Sequence, residues 1–408
     1  MNRACFDKNT KLHERDQHAS CIRPLKINFV RMKKIHILLI IYALAILVLS
    51  CSEDEESKPV FLGKGIYEGA YFPTSDWREC TPEEVGMSSE KLAEVYDYCA
   101  DNKRKTDAFI IIKDGYIVCE HYFNETKIDT KLPSYSLAKV FVAALTGIAI
   151  KQGYLHDVDD KIVDYFPQWQ SPDTQIEKKD ITIRHLLTMT SGMQWNEDES
   201  FLSGDNDIIN LRTSSTNYVD YVLNKPVIET PGTVWNYSSG MPILLGGLIE
   251  NATGQLVFEY AKENLLNKIG ITDINWAVDP EGHTIGAWGI LTTARNYAKI
   301  GFLYYNNGLW DENQLLPENW VTDSYTPPLE NSSIFGYMIW TAHRYPNDIG
   351  LRIPEDTYMA VGLLQKYIIV IPSKNLVLVR IGNDTTLGEL GWDTAEFINL
   401  TVDAIDEN

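Results

Sequence analysis

Cysteine is scarce where a folded domain would use it. Of the six cysteines, only Cys80, Cys99 and Cys119 follow residue 51, and three cannot all pair. A disulfide-built scaffold is excluded, and at most one bridge of unspecified pairing is left. Histidine is thin too. His121, His156, His185, His283 and His343 are scattered, with neither H-E-x-x-H nor H-x-H, so no metal site is expected. No G-x-S-x-G occurs, which argues against the nucleophile elbow of an α/β-hydrolase. Internal repeats and low-complexity tracts are lacking between residues 74 and 408. Positive charge is short as well: beyond residue 50 stand 27 Lys/Arg against 53 Asp/Glu, a formal charge of −26. Such a surface repels nucleic acid and anionic membranes and keeps the chain soluble.

What is present begins with an apolar run. Met32-Lys33-Lys34 precedes IHILLIIYALAILVLS and Cys51, a basic region, an apolar core and a small residue before a cysteine, as in a secretory signal. Val48-Leu49-Ser50-Cys51 resembles a bacterial lipobox, which implies lipidation of Cys51. The alternative is a plain transmembrane anchor, near the lower length limit for a spanning helix. Residues 1–31 are polar and mixed in charge, so Met32 makes the cleaner start. Residues 1–50 therefore read as a signal segment, and 51–73 as an acidic, solvated tether. The acidic run after Cys51 also resembles a surface-export signal of bacterial lipoproteins. The expected location is extracytoplasmic and at a membrane, on the periplasmic or cell-surface side.

From residue 74 onward the texture is that of one large domain. A helix over about 88–102 leads into AFIIIKDGYIVCEHYF, where Asp114-Gly115 between β-rich runs signals a hairpin. Residues 154–284 read as helices and loops. Late in the chain, Lys366–Ile371 and Leu376–Ile381 flank a Pro-Ser-Lys-Asn turn, a second hairpin, before a closing helix in DTAEFINLTVDAI. The expected class is α/β (α+β), with one antiparallel sheet built from both chain ends and flanked by helices. An α/β lobe of about 74–135 and 286–408 would hold an inserted helical lobe of about 136–285. Ligand sites favour such junctions.

Ser136-Leu137-Ala138-Lys139 sits at that junction and opens the most apolar stretch of the domain, VFVAALTGIAI. Serine and lysine three apart share a helix face. At the start of a buried helix the serine lies near free N–H groups, and a partly desolvated lysine can act as its base. The alternative is a capping serine with a snorkelling lysine. Ser88-Ser89-Glu90-Lys91 shows how weak the spacing is alone, since its context is a capped amphipathic helix start. A second element is PGTVWNYSSG, residues 231–240. Tyr237 can pass a proton to a leaving group, and Ser239 can bond the lysine or the substrate. Packing is the competing account of Tyr237, and Tyr304-Tyr305 reads as a helix end. Trp195, Trp235, Trp288 and Trp340 read as core residues that could alternatively line a cleft, and His185 as structural.

Four blocks in order carry a resemblance over roughly residues 78–385. They are PSYSLAKVFVAALTGIAIKQGYLHDVDDKIVDYFP, ITIRHLLTMTSGM, PGTVWNYSSGMPILLGGLIENATG and GAWGILTTARNYAKIGFLYYNNGLW. Together they resemble the serine β-lactamase-related family of class C β-lactamases, D-alanyl-D-alanine carboxypeptidases, esterases and aminohexanoate-oligomer hydrolases. The resemblance implies a β-lactamase/transpeptidase-like fold, with Ser136 as nucleophile, Lys139 as base and Tyr237 sharing its proton. Oxyanion and substrate contacts would come from Ser136, Ser239, Gly362 and Leu363. Four departures stand out: Met189 replaces the usual histidine, Ser239 stands where β-lactamases carry asparagine, Ala360-Val361-Gly362 stands where K-T-G or H-x-G is usual, and Leu364-Gln365-Lys366 follows where G-G-Q is common.

The expectation is thus a serine hydrolase cleaving a small-molecule or short-peptide ester or amide through an acyl-enzyme, with no metal or organic cofactor. Its pattern is nearest the aminohexanoate-hydrolase and esterase branch. A carboxypeptidase or β-lactamase is the second enzyme reading, and an inactive surface-binding lipoprotein is the non-enzyme one. Nothing in the residues bears on oligomeric state.

Overall fold

Two aliphatic tracts from opposite ends of the chain meet at the centre of the main sheet. The computed structural model describes residues 61–197, 204–327, 334–342, 353–383 and 391–406. Cys51, its signal segment, most of the acidic tether and His343 lie outside the described residues. Five described helices have ten or more residues: α1 (Ser89–Ala100), α2 (Ala138–Lys151), α3 (Gly240–Thr253), α4 (Ala294–Tyr305) and α5 (Thr394–Asp403). The strands, in chain order, are β1 (Thr106–Lys113), β2 (Tyr116–Tyr122), β3 (Leu132–Pro133), β4 (Ile274–Trp276), β5 (Ile290–Thr292), β6 (Leu309–Trp310), β7 (Asn313–Gln314), β8 (Trp340–Thr341), β9 (Tyr358–Gly362), β10 (Lys366–Ile371) and β11 (Leu376–Gly382).

The main sheet runs β2-β1-β11-β10-β9-β8, antiparallel throughout. Strands β1 and β11 pair with Ile110 opposite Val379 and Ile112 opposite Val377, which ties the chain's extremities together. Side chains alternate between two buried faces, as strand geometry requires. Ile110, Ile368, Val370, Val377 and Val379 belong to the core shared with α2 and α4. Phe109, Ile111, Met359, Ile369 and Leu378 belong to a second core with Leu92 and Val95 of α1 and Phe397 and Ile398 of α5. Covered on both sides, β11 is buried along its whole length, which explains the apolar run Leu376–Val379; the buried Arg380 interrupts it. Gly301 lets α4 lie close to the sheet, because a Cβ there would come within 2.7 Å of Ile368 and Val377.

Local signals hold at several points. The first hairpin turns at Asp114 and Gly115, both at positive φ (50° and 86°), the backbone that a two-residue Asp-Gly turn supplies. Helix α2 stops before Gly153, which adopts φ 79°. Ser88 caps α1 by accepting the Lys91 N–H at 3.3 Å, and the Lys91 ammonium donates to the Asp403 carbonyl, so the second S-x-x-K is structural. Cys80, Cys99 and Cys119 are buried free thiols, so they form no bridge.

The late segment differs from a simple hairpin. Ala360-Val361-Gly362 continues a strand, β9, so three strands form a meander. Tyr358 and Ala360 face one buried side and Met359 the other, the period-two pattern that puts this tract into the sheet. The β9–β10 connection is Leu363-Leu364-Gln365, with Leu364 at φ 62° and Gln365 at φ 60°. Left-handed backbone costs an L-residue about 1–2 kcal/mol, so neighbouring contacts must hold this loop. The Arg380 guanidinium, buried and stacked 3.9 Å from the Trp392 ring centre, donates to the Gln365 carbonyl. The Lys366 ammonium donates to the Gly382 carbonyl, and burial pushes its pKa down to about 8.

Leu364→Gly should relieve this backbone strain and stabilise the protein by about 1 kcal/mol. Thermal or urea unfolding would register it. A clear loss of stability would mean that the Leu364 side chain contributes more than its backbone costs.

Candidate active site

Ser136 lies on a single 3-10 turn, Tyr135–Leu137, which runs directly into α2. Tyr135 enters that turn at φ 45°, a strained value for a residue with a Cβ. The strand before it is anchored twice: the Ser134 N–H donates to the Ile290 carbonyl at 2.8 Å, and the Ile290 N–H to Ser134 Oγ at 3.1 Å. One turn later Lys139 is 3 % exposed, surrounded by the apolar residues that give α2 its composition. Its Nζ is hydrogen-bonded to Ser136 Oγ at 2.8 Å, Ser239 Oγ at 3.1 Å and the Ala287 carbonyl at 3.3 Å. Serine and lysine therefore share one face, and the lysine is buried against three oxygens rather than snorkelling to solvent.

Ser239 is delivered by a loop docked on the 188–197 segment. The Gly232 N–H donates to the Thr190 carbonyl at 2.7 Å, the Asn236 N–H to the Met189 carbonyl at 3.0 Å, and Asn236 Nδ2 to the Trp195 carbonyl at 2.9 Å. Met189, where histidine was usual, is buried at φ 57° and serves through its carbonyl. His185 forms a reciprocal cap with Thr182 and also lies under Gly232, a structural duty. Tyr237 places its ring centre 5.2 Å from Lys139 Nζ and stacks on Trp340 at 5.9 Å. Among the described residues its hydroxyl bonds neither Ser136 nor Lys139. Trp235 and Phe335 complete an aromatic group around that tyrosine. Tyr304 is buried in the last turn of α4, the helix end that its sequence context indicates.

Ala287 reaches the lysine because glycine precedes it. A Cβ on Gly286 would lie 2.0 Å from the Pro242 carbonyl of α3, so only glycine lets this turn sit against the helix. Gly362 shows the same close approach, since its Cβ would be 2.7 Å from the Ser134 carbonyl. This brings the end of β9, and with it Leu363, beside the Ser136 turn.

One residue at the site carried no sequence signal. Glu197 accepts hydrogen bonds from Ser239 Oγ at 2.7 Å, from the Ser239 N–H at 2.7 Å and from Trp195 Nε1 at 2.7 Å. It belongs to no motif and sits in an Asn-Glu-Asp-Glu run that reads as solvated loop. Only its proximity to Trp195, which is buried, hinted otherwise.

Among the described residues, the Ala360-Val361-Gly362 tract offers no cation. Ala360 is buried in β9, and Lys366 further on is committed to the Gly382 carbonyl and lies 5.4 Å from the Tyr135 ring centre. Among the described residues, His156, Asp157 and Asp160 bring possible metal-ligand atoms within 4.8 Å of one another. That group, exposed except for the partly buried Asp160, follows the C-terminal end of α2, the end opposite Ser136, and takes no part in the site.

Comparison with known proteins agrees with this frame. The family profile described as Beta-lactamase matches residues 92–402, so the chain belongs to the β-lactamase family and is an enzyme of the serine hydrolase type. An uncharacterised protein of Alkalihalophilus pseudofirmus is 24% identical over 72% of this chain and 91% of its own length. Among solved structures, a 6-aminohexanoate-dimer hydrolase assigned in Bacillus anthracis superposes with a TM-score of 0.62 at 19% identity, covering 86% of this chain and 91% of that one. EstCE1, described as a hydrolase with promiscuous acyltransferase activity, gives 0.63 at 13% identity over 78% and 99%. At such identities the structures show a shared β-lactamase/transpeptidase-like fold.

Gly286→Ala should displace the Ala287 carbonyl from Lys139. Overpacking of this kind costs about 1–3 kcal/mol, so a lower melting temperature and at least a roughly tenfold drop in ester turnover are expected. Wild-type activity in the variant would show that the Ala287 contact is dispensable.

Proposed function

We propose that this enzyme cleaves an ester or amide through an acyl-enzyme on Ser136. Carrying that reading is one observation: a buried lysine nitrogen 2.8 Å from a partly buried serine's hydroxyl. Lys139 takes the Ser136 proton as Oγ attacks the carbonyl carbon, and the resulting oxyanion is held by backbone N–H groups of Ser136 and Leu363. The proton then passes, with the help of Tyr237, to the departing oxygen or nitrogen as its bond to carbon breaks. Water attacks the Ser136 ester and gives one proton to Lys139, which passes it to Ser136 Oγ as the acyl C–O bond breaks and the acid is released. Ser239 and Gly362 shape the lysine's surroundings and the approach to Leu363. No metal or organic cofactor enters these steps.

The substrate class is a small molecule or short peptide with an ester or amide, as in the aminohexanoate-hydrolase and esterase branch. The neutral Ala360-Val361-Gly362 tract favours this over carboxylate-bearing penicillins or peptidoglycan stems, because Ala360 supplies no partner for an anion. A binding lipoprotein on the same frame has no use for the hydrogen-bonded Ser136–Lys139 pair. The location we propose is extracytoplasmic, with lipid on Cys51 holding the domain at the membrane through its acidic tether. The lipobox-like Val48–Cys51 supports this.

A fluorophosphonate should label the protein once, at Ser136, as read by intact mass and peptide mapping. Ser136→Ala should abolish the adduct, and both Ser136→Ala and Lys139→Ala should lower hydrolysis of p-nitrophenyl acetate by at least about 1,000-fold while remaining folded. Turnover persisting in either variant would sink the mechanism. Benzylpenicillin, assayed by loss of its β-lactam absorbance, should be hydrolysed poorly or not at all. Efficient turnover would mean that another residue supplies the missing cation.

A further inference from the structure

Lys139 has three polar neighbours, and which of them it donates to decides whether it can be a base. The Ala287 carbonyl can only accept. Ser239 Oγ could in principle donate to the lysine or accept from it. Glu197 removes that freedom: as a carboxylate it only accepts, and it lies 2.7 Å from Ser239 Oγ, so the hydroxyl proton points to Glu197. Ser239 Oγ must then accept from Lys139. A neutral lysine amine has two protons and one lone pair. With the protons directed to Ser239 and Ala287, the lone pair is left facing Ser136 Oγ at 2.8 Å.

We propose that Glu197 is the positioning residue of the site: it orients the Ser239 hydroxyl so that Lys139 presents its lone pair to Ser136. This deepens, and rests on, the Ser136–Lys139 reading. Glu197 touches no reacting atom and acts through Ser239. Its own orientation is set by two N–H donors, from Ser239 and Trp195, which converge on Oε2 and leave Oε1 for the hydroxyl.

That asymmetry makes a sharp test. In Glu197→Gln the side chain keeps its size, but the two N–H donors demand the amide oxygen on their side. The amide nitrogen then faces Ser239 Oγ and donates to it. The hydroxyl proton is driven toward Lys139, where it occupies the lone pair that Ser136 needs. We expect kcat for p-nitrophenyl acetate to fall by about 100-fold with KM little changed, the size of a misdirected general base. Adding Ser239→Ala removes the reversed hydroxyl, so the double variant should recover about tenfold over Glu197→Gln alone. A purely structural glutamate would give no such recovery.

The inference is overturned by a wild-type kcat in a folded Glu197→Gln, or by a double variant no faster than the single one. Should Glu197→Gln fail to fold, Ser239→Ala alone reads the same hydroxyl: a loss of about tenfold in kcat is expected, and an unchanged kcat overturns the proposal. Ser136→Ala in the same assay separates the two readings. Residual turnover there removes the catalytic serine itself, whereas an inactive Ser136→Ala beside an unaffected Glu197→Gln removes only the role of Glu197.

Discussion

Burying the Lys139 amine is the constraint around which the rest is arranged. A lysine nitrogen withdrawn from water requires oxygen partners, and an isolated charged one would be costly. Here the three partners come from three separate tracts: the turn that opens α2, the loop that ends at Ser239, and the glycine-flanked turn at Ala287. None of these could be moved far without stranding the nitrogen. The same geometry that satisfies the lysine also brings the Ser136 hydroxyl to it, the arrangement that the proposed nucleophile and base require.

The main sheet supplies the rigidity this assembly needs. Pairing β1 with β11 closes the fold from its two ends, and cores on both faces hold the sheet. Part of the backbone strain lies at the rim of the site. Tyr135, Met189, Leu364 and Gln365 all adopt positive φ without being glycine, and the first, third and fourth border the Ser136 turn or the β9–β10 loop beside it. Such backbone persists only where the surroundings over-determine it. The anchors are visible: Ser134 with Ile290 on one side, and the buried cations Arg380 and Lys366 on the other.

Much of this was legible in the residues, and the reason differs from case to case. The apolar run after Lys139 announced a helix that is buried all round, so a lysine within it called for an explanation. Asp114-Gly115 specified its turn because both positions need positive φ. Ala360–Gly362 was harder, since a short apolar tract reads equally as strand or as the approach to one. Glu197 was invisible. Its role depends on a contact across 42 residues with Ser239, and local composition cannot encode a partner that arrives only with the tertiary fold. The tyrosine hydroxyl is the converse case. Tyr237 does lie beside Lys139, yet with its ring, rather than its oxygen, against the lysine.

Ser239 and Glu197 make most sense together. An asparagine amide, as β-lactamases carry at this place, offers separate acceptor and donor atoms, so its oxygen can take a lysine proton without outside help. A serine hydroxyl is different, because its single proton rotates freely and can serve or oppose the neighbouring base. Exchanging an amide for a hydroxyl therefore removes a directional constraint from the site, and something must restore it. The carboxylate of Glu197, held by the Trp195 and Ser239 N–H groups, meets that need with acceptor capacity alone. On this view the change from asparagine to serine is half of a paired solution. The other half lies in a loop that no motif would single out.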